Sequence, residues 1–383
     1  MRSKFAAAPV SLFGYGARED LPELLQREKV RKALVIPDKS LRNLGISGKV
    51  ESVREEAGFQ TVVFDEVQPN PTLENVKEGV RLLKEEDCDF IVAVGGGSAN
   101  DCAKAVRLLE AGGGCLEDYQ GGNKSPERGK MLVAVNTTAG TGSEVSRAYL
   151  ISDTEAKRKL IFKDDYAMPS IAVNDTELME QLPANITAQT GMDALTHAVE
   201  SFSSTGHSLL TELLAKDAMA LIYKNLPEAV ENPGSKRARE AMACGQYLAG
   251  LSFGNAGLGL VHAMAHQLGG TYNLPHGLCN AILLPWVMEF NLEAAEKPYA
   301  EIAWLWDEAG CRGMTSREKA LYAVELVRSL SRRVKTEIPL SDLGVQSDDF
   351  SQLAEKALED GCILSSPIQP GKEEIIELYR KAM

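Results

Sequence analysis

Four of the five histidines in this 383-residue chain fall in two short stretches. In "GMDALTHAVE", Asp193 and His197 stand four residues apart, and "VHAMAHQLGG" repeats that interval with His262 and His266. Residues four apart share one face of a helix, so each stretch presents two polar groups together. His276 follows a Gly-Gly break and "YNLP", which puts it at or just before the start of another helix. A carboxylate with two or three imidazoles suits a divalent first-row metal, iron or zinc, and is too rich in nitrogen for magnesium or calcium. Such a metal polarises a carbonyl oxygen or lowers the pKa of an alcohol. His207, outside both stretches, reads as a surface residue.

A second chemistry-bearing stretch is "DFIVAVGGGSANDCAKAVRLL", which reads as strand, glycine turn and helix. Gly95, Gly96 and Gly97 remove side chains where backbone must approach a ligand. Ser98 stands where an N-cap belongs, and Asp101 three residues later suggests a capping box. The helix start then offers N–H groups and partial positive charge to a pyrophosphate. The pattern is neither GxGxxG nor a P-loop, and a purely structural turn accounts for it about as well. "NTTAGTGSE" follows the next apolar strand with the hydroxyls of Thr137, Thr138, Thr141 and Ser143. Two such turns after parallel strands favour a dinucleotide over a lone phosphate. Asp38 closes an earlier strand, where a carboxylate accepts hydrogen bonds from a ribose and repels a 2′-phosphate, favouring NAD over NADP. Its alternative role is an N-cap before "KSLRNL". A metal beside a nicotinamide defines alcohol dehydrogenase chemistry.

Two kinds of element must position these groups. Strands are expected at 31–38, 60–65, 89–94 and 131–137, with helices at 48–58 and 72–87 and a long loop over 112–129. The runs at 89–94 and 131–135 are continuously apolar, as in parallel strands buried on both faces. Past residue 183 the patterns at 185–202, 209–226, 236–253 and 316–334 are helical. The expected organisation is an α/β dinucleotide-binding domain over 1–183, Rossmann-like with a parallel sheet, then an all-α metal-binding and catalytic domain over 184–383. The cleft between them is the natural place for a site.

Composition narrows the function. A net charge of −13 argues against nucleic-acid or anionic-membrane partners. Seven scattered cysteines without a CxxC pair read as reduced thiols in a cytoplasmic protein. No apolar run reaches membrane-spanning length, and the N-terminus lacks a signal-peptide pattern.

With these motifs in hand, the chain resembles the iron-containing (group III) alcohol dehydrogenase family over essentially its whole length. The likeness rests on "GGGS-x-x-D-x-A-K", "TTAGTGSE", "TGMDALTHAVE" and "GLVHAMAHQLGG-x-Y-N-x-PHG-x-x-N-A-ILLP", in that order. It implies a dehydroquinate-synthase-like helical domain, with Asp193, His197, His262 and His276 as metal ligands. It implies that His266 lies near the metal without binding it firmly and relays a proton. The cofactor positions it implies are Asp38, Asn70, Gly96, Gly97, Ser98, Thr137, Thr138, Thr141, Lys159 and Leu178. Ala148, Phe253 and Cys362 match its substrate-pocket positions, and Arg147 beside Ala148 raises the case for an anionic aldehyde bearing a carboxylate or sulfonate. Ala99-Asn100 departs from the family, where Pro commonly follows the Ser. The implied reaction interconverts a short aldehyde and its primary alcohol with NAD(H) and Fe(II), and zinc suits the same ligands. The family forms dimers and larger homo-oligomers. A polyol dehydrogenase or an NAD- and metal-dependent lyase on the same scaffold is the competing reading.

Overall fold

The computed structural model describes residues 4–38, 53–156 and 158–383. Six strands form one all-parallel sheet: β1 (Val10–Gly14), β2 (Lys32–Pro37), β3 (Gln60–Val63), β4 (Phe90–Gly95), β5 (Met131–Asn136) and β8 (Ile171–Asp175). Their order across the sheet is β1-β8-β5-β4-β2-β3. β6 (Ala148–Asp153) and β7 (Arg158–Lys163) make a separate antiparallel pair.

The apolar runs are continuous because both faces of this sheet are covered. Leu34, Ile36, Ile91, Ala93 and Leu132 pack into one buried cluster with residues of the helices α2 (Leu73–Glu85) and α3 (Gly97–Gly112). Ala33, Phe90, Val92, Val94, Val133 and Val135 point the other way, into a cluster with α1 (Leu21–Glu28). Thr72 caps α2 in a reciprocal capping box with Asn75. Helices α2 and α3 approach closely at Gly79, where an added Cβ would lie 2.5 Å from Val106 Cγ2. Gly79→Ala is therefore expected to lower stability by about 1–3 kcal/mol through overpacking, read as a lower urea midpoint at unchanged slope.

Past Leu182 the described residues are helical, in α4 (Ala184–Ser203), α5 (Leu209–Glu231), α6 (Lys236–Ala256), α7 (Leu260–Tyr272) and α8 (His276–Phe290). Then come α9 (Glu296–Trp306), α10 (Ser316–Arg333), α11 (Phe350–Leu358) and α12 (Lys372–Lys381). Among the described residues no single helix is long and apolar enough to cross a membrane. The chain divides into two compact units: Ala6–Thr138 with Gly142–Gln181, and Leu182–Met383 with Met1–Phe5 and Ala139–Thr141.

The structure corrects three local expectations. α3 begins at Gly97 with Gly96 as its N-cap and no side-chain cap, so Ser98 lies inside the first turn. The Gly269-Gly270 pair does not break the chain, because α7 runs through it to Tyr272. The turn comes after it, at Asn273 (φ 54°) and Pro275, the residue that precedes α8. Asn and Pro supply the left-handed and fixed-φ conformations there. The sequence reading also lacked β1, β8 and the β6–β7 pair, and its 112–129 loop holds a short 3-10 turn at Leu116–Tyr119. The helix expected over 48–58 is helical at 53–57, and its remainder lies outside the described residues.

Candidate active site

Three helices of the second unit each bring a pair of polar residues four apart. On α4 these are Asp193 and His197, on α7 His262 and His266, on α8 His276 and Asn280. Asp193 Oδ1 lies 3.8 Å from His197 Nε2, 3.8 Å from His262 Nε2 and 3.6 Å from His276 Nε2. All four ligand atoms fall within 4.8 Å of one another. A tetrahedral site with ligands about 2.1 Å from the metal has edges of about 3.4 Å, so these separations suit one first-row ion. Burial pushes His197 down to about 4 and His262 down to about 3. Both imidazoles are neutral at pH 7 and can coordinate. One carboxylate oxygen and three imidazole nitrogens converge on a single ion-sized space. The donor set therefore fits a divalent metal.

Asn280 escaped the sequence reading. Its Nδ2 lies 2.6 Å from Asp193 Oδ1 and 3.1 Å from both His262 Nε2 and His276 Nε2. The signal was the spacing of four from His276, which becomes legible only once His276 is known to open a helix. Glu200 was missed too. It stands one turn beyond His197 on the same face of α4, and its Oε2 lies 2.5 Å from His262 Nδ1. Burial pushes Glu200 up to about 7, opposed by backbone N–H donors of Val261 and Gly259.

His266 Nδ1 lies 2.8 Å from Asp360 Oδ2, and the two rings of His266 and His276 stack at 5.3 Å. Asp360 also accepts from the Cys362 amide at 2.9 Å, and its carboxyl is held below the usual range by His266 despite burial. His266, Asp360 and Cys362 each offer a ligand-type atom within 4.8 Å of the others. Phe253 stacks on His197 at 4.3 Å. Of the three candidate pocket residues, Phe253 and Cys362 thus lie beside the histidines of this unit, whereas Ala148 opens β6 in the other unit.

In the sheet unit, the turn after β4 packs against the end of β2. The Asp38 amide donates to Val94 O at 2.8 Å, and a Cβ on Gly95 would lie 2.9 Å from the Asp38 Cβ. A Cβ on Gly96 would meet Thr138 Oγ1 at 2.9 Å. Asp38, Gly96, Gly97, Ser98, Thr137 and Thr138 are thus brought to neighbouring strand ends, where the sheet order reverses. Asn100 Nδ2 bonds to Gly96 O at 2.9 Å and so braces the turn. Asn70, in the left-handed region at φ 61°, accepts from Lys159 Nζ at 2.9 Å. Leu178 is buried just past β8. Thr141 belongs to the helical unit with Gly140, where an added Cβ would lie 2.7 Å from Thr190 Cβ. The uncapped start of α3 and the buried Thr137 Oγ1, which has no hydrogen-bond partner among the described residues, fit a pyrophosphate-bearing ligand.

Asp101 does not serve as a cap. It accepts from Ser143 Oγ at 2.7 Å and from the Leu150 amide at 3.0 Å. Buried Lys104 donates to Ser143 Oγ and to Ala148 O, both at 2.8 Å, and burial brings it down to about 8. This pair fixes the second polar turn and the start of β6. Arg147 is ion-paired with Asp165 at 2.6 Å.

Comparison with known proteins agrees with this architecture. The model of the iron-containing alcohol dehydrogenase family matches residues 8–176, and that of the family's C-terminal domain matches residues 187–383. The chain is 41% identical over 380 residues to alcohol dehydrogenase 4 of Saccharomyces cerevisiae, covering 99% of this chain and 98% of that protein. It is 39% identical over 383 residues to the NAD-dependent methanol dehydrogenase of Bacillus methanolicus, covering both chains in full. The crystal structure of a 1,3-propanediol oxidoreductase superposes with a TM-score of 0.97 at 41% identity, again over 100% of both chains. The chain belongs to the iron-containing alcohol dehydrogenase family, and it is an enzyme, an oxidoreductase of alcohols and aldehydes.

Proposed function

We propose that this enzyme interconverts a short, uncharged aldehyde and its primary alcohol, using NAD(H) and one Fe(II) ion. The observation that carries the reading is the convergence of Asp193, His197, His262 and His276 on one ion-sized space. When bound, the ion would supply a Lewis acid for the substrate oxygen and the nicotinamide a donor or acceptor of hydride. The residues around them hold, orient and move protons. Asp360 keeps the Nδ1 proton on His266, which leaves Nε2 to take the proton of the alcohol or return it. Phe253, stacked on His197, gives the substrate carbon an apolar wall. The turn of Gly96, Gly97 and Ser98 receives the pyrophosphate, Asp38 the adenosine ribose, and Thr137, Thr138, Thr141, Lys159, Asn70 and Leu178 the remainder of the cofactor. The 1–183 region is thus the NAD-binding part, and 184–383 the metal-binding part.

The ion pair of Arg147 with Asp165 neutralises the one cation that suggested an anionic substrate, which favours neutral aldehydes. The methanol and propanediol named in two relatives are likewise small and uncharged. An NADH-coupled screen of short aldehydes, neutral and anionic side by side, is expected to give the higher kcat/KM with a neutral one. A carboxylate or sulfonate aldehyde turning over best, with the preference lost in Arg147→Ala, reverses this assignment. Metal analysis after anaerobic purification is expected to find iron. Stoichiometric zinc with full activity removes the iron claim. We also place the enzyme in the cytoplasm as a homodimer or larger homo-oligomer. Its scattered free cysteines support the compartment, and light scattering tests the assembly.

A further inference from the structure

Glu200 is 7% exposed and sits between two helices that carry the metal-binding histidines. Its Oε2 faces His262 Nδ1 at 2.5 Å, and its Oε1 accepts from the Val261 amide at 2.7 Å. Val261 is in the first turn of α7, whose N-cap Gly259 has no side chain to bond the helix's own amides. A Cβ at Gly259 would come within 2.9 Å of Glu200 Oε1. Glycine there admits the carboxylate, which takes the place of a missing cap and meets the positive end of the helix.

We propose that Glu200 is the second carboxylate of the metal centre, a positioning residue that fixes the tautomer of His262 and supplies the second negative charge a buried divalent ion requires. The proposal rests on the reading that Asp193, His197, His262 and His276 hold that ion. A neutral imidazole carries one proton and one lone pair. An acceptor held against Nδ1 keeps the proton there and turns the Nε2 lone pair towards Asp193 Oδ1, which lies 3.8 Å away. The charges lead to the same residue. Three neutral imidazoles and one aspartate leave a divalent ion with a single uncompensated positive charge among side chains that, apart from His276, are 5% exposed or less. Burying such a charge is costly. Glu200 brings the sum to zero without occupying a coordination position, so the substrate oxygen keeps its place. Asp360, also a buried carboxylate, is engaged by His266 Nδ1, Gln267 Nε2 and the Cys362 amide instead.

The test measures metal binding rather than turnover. Metal-free wild type, Glu200→Gln, Glu200→Asp and His262→Ala are titrated with Co²⁺ against a competing chelator, with thermal unfolding of each metal-free protein measured alongside. Glu200→Gln is expected to bind Co²⁺ about 10–100-fold more weakly, with an altered d–d spectrum. Glu200→Asp keeps the charge and is expected to lose less. A Glu200→Gln protein that melts earlier yet binds within about threefold of wild type overturns the proposal and leaves a purely capping role. His262→Ala separates the two layers: if it binds Co²⁺ as wild type does, the metal-centre reading itself fails. Should Glu200→Gln not fold, long-range ¹H–¹⁵N spectra of metal-free wild type decide the point. The proton is expected on His262 Nδ1, and finding it on Nε2 overturns the assignment.

Discussion

His262→Ala is expected to leave the protein folded, strip it of iron and lower kcat/KM by about three orders of magnitude or more. His262 is 1% exposed and shares its ring faces and edges with His197, His266 and His276, so its imidazole is central to the cluster. Losing one of four donors weakens the ion's hold, and losing the ion removes the Lewis acid. That contribution is worth several kcal/mol, and about 4 kcal/mol corresponds to about a thousandfold in rate. The fold is expected to survive because the metal-free cluster is surrounded by well-packed helix contacts rather than by the ion alone. Even so, Glu200 loses one hydrogen-bond donor, at a cost of about 1–3 kcal/mol. Metal content, melting temperature and steady-state kinetics on one preparation check the three parts. Wild type stripped by a chelator is expected to match the variant and, unlike it, to recover on adding Fe(II) anaerobically. A variant that keeps both iron and kcat/KM refutes the ligand assignment.

The second large effect concerns cofactor choice. Asp38→Ala is expected to raise the ratio of kcat/KM with NADPH to that with NADH by about 100-fold. Two changes add. The variant loses charge-assisted bonds to the ribose hydroxyls of NADH, each worth about 1.5–3 kcal/mol. It also no longer sets a carboxylate against the 2′-phosphate of NADPH. The position is exacting because Asp38 is anchored through its amide to Val94 O and packs against Gly95. A ratio unchanged within a factor of about three, in a protein of normal stability, takes Asp38 out of the cofactor site.

Much of this architecture was legible because it is written in short-range periodicity. The runs at 89–94 and 131–135 announced buried parallel strands, and the structure places β4 and β5 there, paired along their length. Asp193 with His197 and His262 with His266 were legible as pairs because a helix puts residues four apart on one face. Strands without such a pattern were not. β1 mixes half-buried and exposed positions, and β6 and β7 are joined by a short turn without the Gly-rich dipeptides that mark hairpins.

What the sequence determined by itself was the inventory: the residue types, their local pairing on helix faces, and the glycine turn that ends β4. Tertiary structure decided the partnerships. It set Asp38 against Gly95 across adjacent strands and gave Asp101 to Ser143 rather than to a cap. It turned Glu200 onto a histidine 62 positions away and aimed Asn280 at an aspartate 87 positions away. The reason is physical. Spacing along a helix is fixed by its 3.6-residue turn and can be counted in the chain. Which helix crosses which, and at what register, is fixed by side chains packing to fill space, and that has no period to count.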